Sequence, residues 1–131
     1  MGRSARPVAV VYADWRAAKA PPPKEVLNAA VEIGCPALLI DTWDKSAGGL
    51  FTHWPADDLI PFLERVRDRG LISVLAGSLA GEAFTAAAQL RPDLVAVRGA
   101  ACEGNREGVV SSDRVRRLRL SLKSPSASRL C

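Results

Sequence analysis

With 131 residues, 48% of them hydrophobic and 24% charged, the chain has the composition of one ordinary globular domain, which excludes bulk disorder. No apolar run reaches the roughly 20 residues that span a bilayer, and Met1 to Pro7 leads into no signal-type apolar stretch, so no membrane association and a cytoplasmic location are expected. The net charge of +4 sits at one end: Ser112 to Cys131 holds six cations against Asp113 alone, and with only 5% aromatics and no stacking motif this patch reads as a solvated face, not a nucleic-acid surface.

Pro7 to Ala13 (PVAVVYA) is β-rich and continuously apolar, the pattern of a strand buried on both faces, and Asp14, Trp15 and Arg16 follow at its exit. Ala17 to Pro23 reads as a loop. Lys24 to Ile33 is a helix that Pro23 can begin, with Val26, Leu27, Ala30, Val31 and Ile33 as its apolar stripe and Gly34 as its stop. Ala37 to Ile40 is a second strand of the doubly buried kind. Asp41 to Lys45 is the loop at its carboxyl end, where parallel α/β folds place their chemistry.

The long loop from Thr42 to Pro55 carries Gly48, Gly49, Trp43, Phe51, His53 and Trp54; loops of this length inside a compact domain are usually functional. His53, the only histidine, has no ligand or triad partner in the pattern and reads as a surface residue, and the three tryptophans read as packing groups. Ala56 to Arg69 is a helix with Asp57 and Asp58 in its first turn and arginines in its last, as the helix dipole prefers. Its stripe is Leu59, Ile60, Leu63 and Val66, and Gly70 ends it.

Leu71 to Leu75 is the third strand, and Gly81 to Leu90 a helix of small residues that Pro92 breaks. Leu94 to Val97 is the fourth strand, Glu103 to Gly108 a loop, and Ser112 the expected cap of a helix over Asp113 to Leu122. Lys123 to Cys131 has the composition of a disordered tail, leaving residues 1–122 as the domain. Cys35, Cys102 and Cys131 are odd in number and widely spaced, so neither a disulfide framework nor a metal site is indicated.

Four β/α units about 30 residues apart imply parallel strands with right-handed crossovers. The length suits either a four-stranded open sheet or half of a (β/α)8 barrel, which takes about 250 residues. A half-barrel leaves two strand edges and its inner face open, so it is expected to self-associate or to pair with a complementary half. Asp41 and Lys45 can be an acid–base pair at the strand end, or a turn-forming acid beside an exposed lysine.

The runs YADW (Tyr12 to Trp15), LIDTWDK (Leu39 to Lys45), GGLF (Gly48 to Phe51), LAGSL (Leu75 to Leu79) and RPDLVAVRGAAC (Arg91 to Cys102), followed by NREG, resemble in order the second half of the (5-formylfuran-3-yl)methyl phosphate synthase family of methanofuran biosynthesis. The resemblance covers Val8 to about Leu118. It implies a TIM-barrel lyase that condenses two molecules of glyceraldehyde 3-phosphate through a lysine Schiff base, with loss of one phosphate and water and with no cofactor. Asp41 and Lys45 match the family's acid and lysine after the sixth strand, which shuttle protons and help expel phosphate. Gly77, Ser78, Arg98, Gly99 and Ala100 fall in the loops of the usual barrel phosphate cradle. Arg98 can grip a phosphate bidentately or form a structural ion pair. Asp14 can orient a substrate hydroxyl or cap a turn.

Two departures accompany the match. The family's Schiff-base lysine and a second catalytic lysine belong to strands that precede this sequence, so the chain alone is expected to be inactive or nearly so. After Lys45, Ser46, Ala47 and Gly48 stand where the family usually has an acid and a glycine. A non-catalytic phosphate-binding or barrel-completing module is the alternative.

Overall fold

The computed structural model describes residues 5–104 and 107–122. In chain order the elements are β1 (Val8–Tyr12), α1 (Trp15–Ala18), α2 (Pro23–Ile33), β2 (Ala37–Asp41), α3 (Leu50–His53), α4 (Ala56–Asp68), β3 (Ile72–Leu75), α5 (Glu82–Gln89), β4 (Leu94–Val95), a 3-10 turn at Gly99–Ala101 and α6 (Ser112–Leu122). The expected tail, Lys123 to Cys131, lies outside the described residues, as do Asn105 and Arg106 of the expected loop.

The four strands form one parallel sheet in the order β1-β2-β3-β4. Chain order and spatial order coincide, so right-handed crossovers place every connecting helix on the same side. Val11, Leu38, Ile40 and Leu75, none of them exposed, join Leu27 and Ala30 of α2, Leu59, Leu63 and Val66 of α4 and Ala87 of α5 in a single core. Each such aliphatic side chain taken fully from water stabilises the fold by about 1.5–3 kcal/mol.

The other face of the sheet is apolar but uncovered. Register aligns Val8 with Ala37 and Ile72, and Val10 with Leu39, Val74 and Leu94. Val8 is 50% exposed, Val10 39%, Ile72 45% and Leu94 57%. The continuous apolar runs therefore do not mark strands buried on both faces. They mark strands with one face under helices and one open row of aliphatic side chains.

The helix ends follow local chemistry. Pro23 occupies the first turn of α2, where its missing N–H is not needed, and Gly34 closes the helix at φ +85°. Ile33 does not join the stripe and is 68% exposed. In α4 the buried positions are Leu59, Phe62, Leu63 and Val66, the i, i+3, i+4, i+7 spacing of one helical face; Ile60 lies about 100° around from Leu59 and points outward. The cap of α6 is Ser111, whose Oγ accepts the N–H of Arg114 at 3.3 Å, while Ser112 is already helical. The expected loop after β1 contains the short helix α1, closed by Lys19 in the left-handed region.

Ser73, a buried polar residue in β3, is fully partnered. Asp93 Oδ2 accepts its N–H at 2.8 Å and faces its hydroxyl at 3.3 Å, and the Asp93 N–H donates to that hydroxyl at 3.1 Å. This clamp sets the start of β4 against β3. Beyond the two residues of β4, the Ala96 N–H donates to Leu75 O at 2.8 Å and continues the pairing toward the carboxyl edge. Among the described residues no helix is long and apolar enough to cross a membrane.

Candidate active site

Parallel pairing brings all four strand ends to one edge, and Asp41 is the last residue of β2, opposite Tyr12. Its place in the strand, two residues after Leu39, puts it on the uncovered face. Asp41 Oδ1 accepts the Lys45 ammonium at 2.8 Å and the Thr42 N–H at 2.7 Å. The same ammonium donates to the Thr42 carbonyl and to Thr42 Oγ1, the latter at 3.2 Å. Thr42 is buried, so a tight turn folds Lys45 back over the end of its own strand. The side chains of Lys45 and Asp41 remain 33% and 27% exposed, and a pair this open contributes only about 0.2–1 kcal/mol to stability. What the turn does is hold an ammonium at a defined point above the sheet.

Asp14, at the exit of β1, is 7% exposed and holds that turn from behind. Its Oδ1 accepts the Trp43 N–H at 2.8 Å and its Oδ2 the Asp44 N–H at 3.0 Å. Burial alone would raise the pKa of this carboxyl. The amides of Asp44, Trp43 and Asp14 itself, with the nearby His53 charge, outweigh burial and keep it below its ordinary value. Asp44 is also held low, by the hydroxyl and N–H of Ser46, which both donate to its Oδ1.

The loop after β3 interlocks with the loop after β2. Gly77 has φ +112°, and its carbonyl accepts the Leu50 N–H at 3.0 Å. A Cβ on Gly77 would stand 3.1 Å from Thr42 Cγ2 and 3.3 Å from Leu50 Cβ. Glycine is required here by both conformation and space. Ser78 follows, exposed and also at positive φ, 55°.

After β4, Arg98 leads into the 3-10 turn of Gly99, Ala100 and Ala101, closed by the Cys102 N–H donating to Gly99 O at 3.0 Å. The chain then comes back: the Ser111 N–H donates to Ala101 O at 2.8 Å, which seats the start of α6 against this turn.

These loops enclose a cavity of about 650 Å³. Asp41, Lys45, Gly77, Ser78, Arg98, Gly99 and Ala100 all line it; Asp14 does not, because its carboxylate is turned into the loop it braces. Leu39 of the uncovered face forms part of the floor. Arg114 of α6 and Gly104 also line it, and neither stood out in the sequence. No motif marks Arg114; only the return of the chain through Ser111 brings it to the cavity. Chemically, the cavity offers an ammonium paired to a carboxylate at one wall and guanidinium groups at another, a setting for proton transfer beside a bound anion.

His53 is half-buried, not a surface residue, and its Nε2 is buried with no hydrogen-bond partner among the described residues. Trp54 packs on Phe62 with ring centroids 5.1 Å apart, and Trp15 lies under the Arg16 guanidinium at 4.4 Å. Trp43 is 54% exposed and does not serve as a packing group.

A family model described as 4-HFC-P synthase matches residues 1–119. The chain is 36% identical over 119 residues to the (5-formylfuran-3-yl)methyl phosphate synthase of Methanopyrus kandleri, a stretch that covers 89% of this chain and 50% of that protein. It is 35% identical over 119 residues to the Methanothermobacter thermautotrophicus enzyme of the same name, with 89% and 50% covered. With that of Archaeoglobus fulgidus the identity is 30% over 115 residues, covering 88% and 49%. The chain spans about half the length of the curated relatives it matches.

Proposed function

Because the chain belongs to the (5-formylfuran-3-yl)methyl phosphate synthase family, we propose that residues 1–122 make half of a (β/α)8 barrel and that the cavity at its carboxyl edge is one side of the synthase site. The observation that carries this is the convergence of the Asp41–Lys45 pair and the Arg98–Gly99–Ala100 turn on one cavity, above a sheet face left open. A closed barrel fills that face with side chains from its remaining strands. The occupant is a complementary half or a second copy of this chain.

In this assignment the phosphate of a glyceraldehyde 3-phosphate unit sits at Gly77, Ser78 and the Arg98–Ala100 turn. Lys45 hands a proton to the oxygen of the departing phosphate; Asp41 takes the proton that the substrate carbon loses in the same elimination and returns it to Lys45, while Asp14 holds the Lys45 loop in place. The Schiff-base lysine of the condensation belongs to strands outside these 131 residues. The 131-residue polypeptide by itself is therefore expected to give no turnover. A second reading, a barrel-completing phosphate-binding module without catalysis, is favoured by one observation: Asp41 Oδ1, Thr42 O and Thr42 Oγ1 already occupy the Lys45 ammonium.

The test is reconstitution. The chain is mixed with the portion of the Methanothermobacter relative that it does not cover, supplied with glyceraldehyde 3-phosphate, and assayed for the furan aldehyde and for borohydride-trapped adducts. Product from the mixture, lost in Lys45→Met, supports the catalytic assignment. Product that survives Lys45→Met supports the module reading, and an adduct trapped on Lys45 of the chain alone overturns the assignment of inactivity.

A further inference from the structure

We propose that Arg114, in the first turn of α6, is a second arginine for the anion held in the cavity, so that the basic C-terminal helix belongs to the binding site. The inference rests on reading the cavity as a phosphate site and adds to it a residue from outside the loops that follow the strands.

Charge within the cavity points first to an anion. Its walls carry Lys45, Arg98 and Arg114 against one carboxylate, Asp41, and that carboxylate is already engaged by Lys45. Cationic side chains gathered on the wall of a concave space attract anions. Position then separates Arg114 from Arg116 and Arg117 of its helix. Arg116 is spent on Asp113 at 2.8 Å, and Arg117 lines a different depression, with Phe84 and Ser121. Arg114 lines the main cavity, and among the described residues its guanidinium pairs with no carboxylate.

The backbone explains how the residue gets there. Pairing of Cys102 with Val110, and of the Ser111 N–H with Ala101 O, folds the chain back onto the Gly99–Ala101 turn. The Ser111 hydroxyl then fixes the Arg114 N–H at 3.3 Å, setting that side chain at the rim. α6 buries no residue of its own, so it can adjust to a ligand without disturbing the core.

The test titrates the 131-residue chain with inorganic phosphate and with glyceraldehyde 3-phosphate, following amide shifts by NMR, in wild type and in Arg114→Gln, Arg117→Gln and Arg98→Gln. Losing one charge-assisted contact weakens binding about tenfold or more. Arg114→Gln is expected to show that loss with an unchanged thermal melt, Arg114→Lys to recover part of it, and Arg117→Gln to match wild type. If Arg98→Gln weakens binding and Arg114→Gln does not, the inference fails and the phosphate assignment stands. If wild type binds neither ligand, both fail.

Discussion

Asp14 Oδ1 accepts the Trp43 N–H at 2.8 Å, so a buried carboxylate at the end of β1 determines the path of the loop that presents Lys45 from the end of β2. Two amides depend on that one side chain. Asp14→Ala leaves both without a partner beside a small void, and the expected destabilisation is about 2–3 kcal/mol, measured by urea unfolding. Because Lys45 follows directly in the same loop, its amine is also expected to react faster with an acylating reagent in Asp14→Ala than in wild type. A stability loss with unchanged Lys45 labelling would show that the brace does not reach the lysine.

Acid is expected to weaken the same contact. A carboxyl whose pKa is lowered from the ordinary 3.8 on folding contributes stability that is fully present well above pH 3.8. That contribution is lost as the pH falls through 3.8 toward the lower folded value. Wild type should therefore lose urea resistance below about pH 4 more steeply than Asp14→Asn, in which the group cannot titrate. Coincident acid limbs for the two proteins would remove Asp14 from the account. Asp44 is also held low, but only by the hydroxyl and N–H of Ser46 two residues on in its own loop, so Asp44→Asn is expected to leave most of the acid limb in place.

Much of the architecture was legible because local rules and tertiary packing agree. Pro23 and Gly34 bracket α2, the apolar runs gave the strands to within two residues at either end, and an acid followed by a lysine at a strand end marked one wall of the cavity. Four parallel strands were expected, and they are found; that their spatial order follows chain order comes from the structure. What stayed hidden depends on contacts distant in sequence. An apolar run reads the same whether its second face is covered or open, so the exposure of Val8 and Val10 could not be seen. The role of Asp14 required knowing that residues 29 and 30 positions later would turn back onto it. Arg114 reaches the cavity only through the pairing at Ala101 and Ser111. Ser111 and Ser112 are chemically alike, and only backbone geometry decides which one caps α6.

Gly77 and Gly70 allow conformation and crowding to be separated. Both have positive φ, +112° and +79°, but a Cβ at Gly70 meets nothing within 4 Å, whereas at Gly77 it meets Thr42 Cγ2 at 3.1 Å. Gly70→Ala is expected to cost about 1–2 kcal/mol, from backbone strain alone. Gly77→Ala should cost more, about 2–4 kcal/mol, because the Thr42 turn and the Leu50 N–H bond must also shift. Urea midpoints give the comparison. Phosphate titration gives a second readout, since displacing Gly77 displaces a wall of the cavity. Equal costs at the two glycines would mean that the two loops yield freely to each other.

The open sheet face makes a last, opposite pair of predictions for neighbouring residues of β1. Val10 and Val11 are adjacent β-branched residues, yet Val10 is 39% exposed and Val11 0%. Val11→Lys puts a charge under α2, in the core, and is expected to unfold the chain, since a buried unpaired ammonium costs several kcal/mol. Val10→Lys faces the uncovered side, where a charge stays hydrated, and its cost to a monomer is expected to lie within about 0.5 kcal/mol. If the open face associates with a second copy, wild type should sediment above 14.0 kDa with a concentration dependence that Val10→Lys abolishes. If wild type sediments as a monomer and Val10→Lys changes nothing, the face awaits a different chain. The reconstitution mixture then becomes the place to look, because Val10→Lys should block product there while Val109→Lys, on a side chain 78% exposed in the segment before α6, should not.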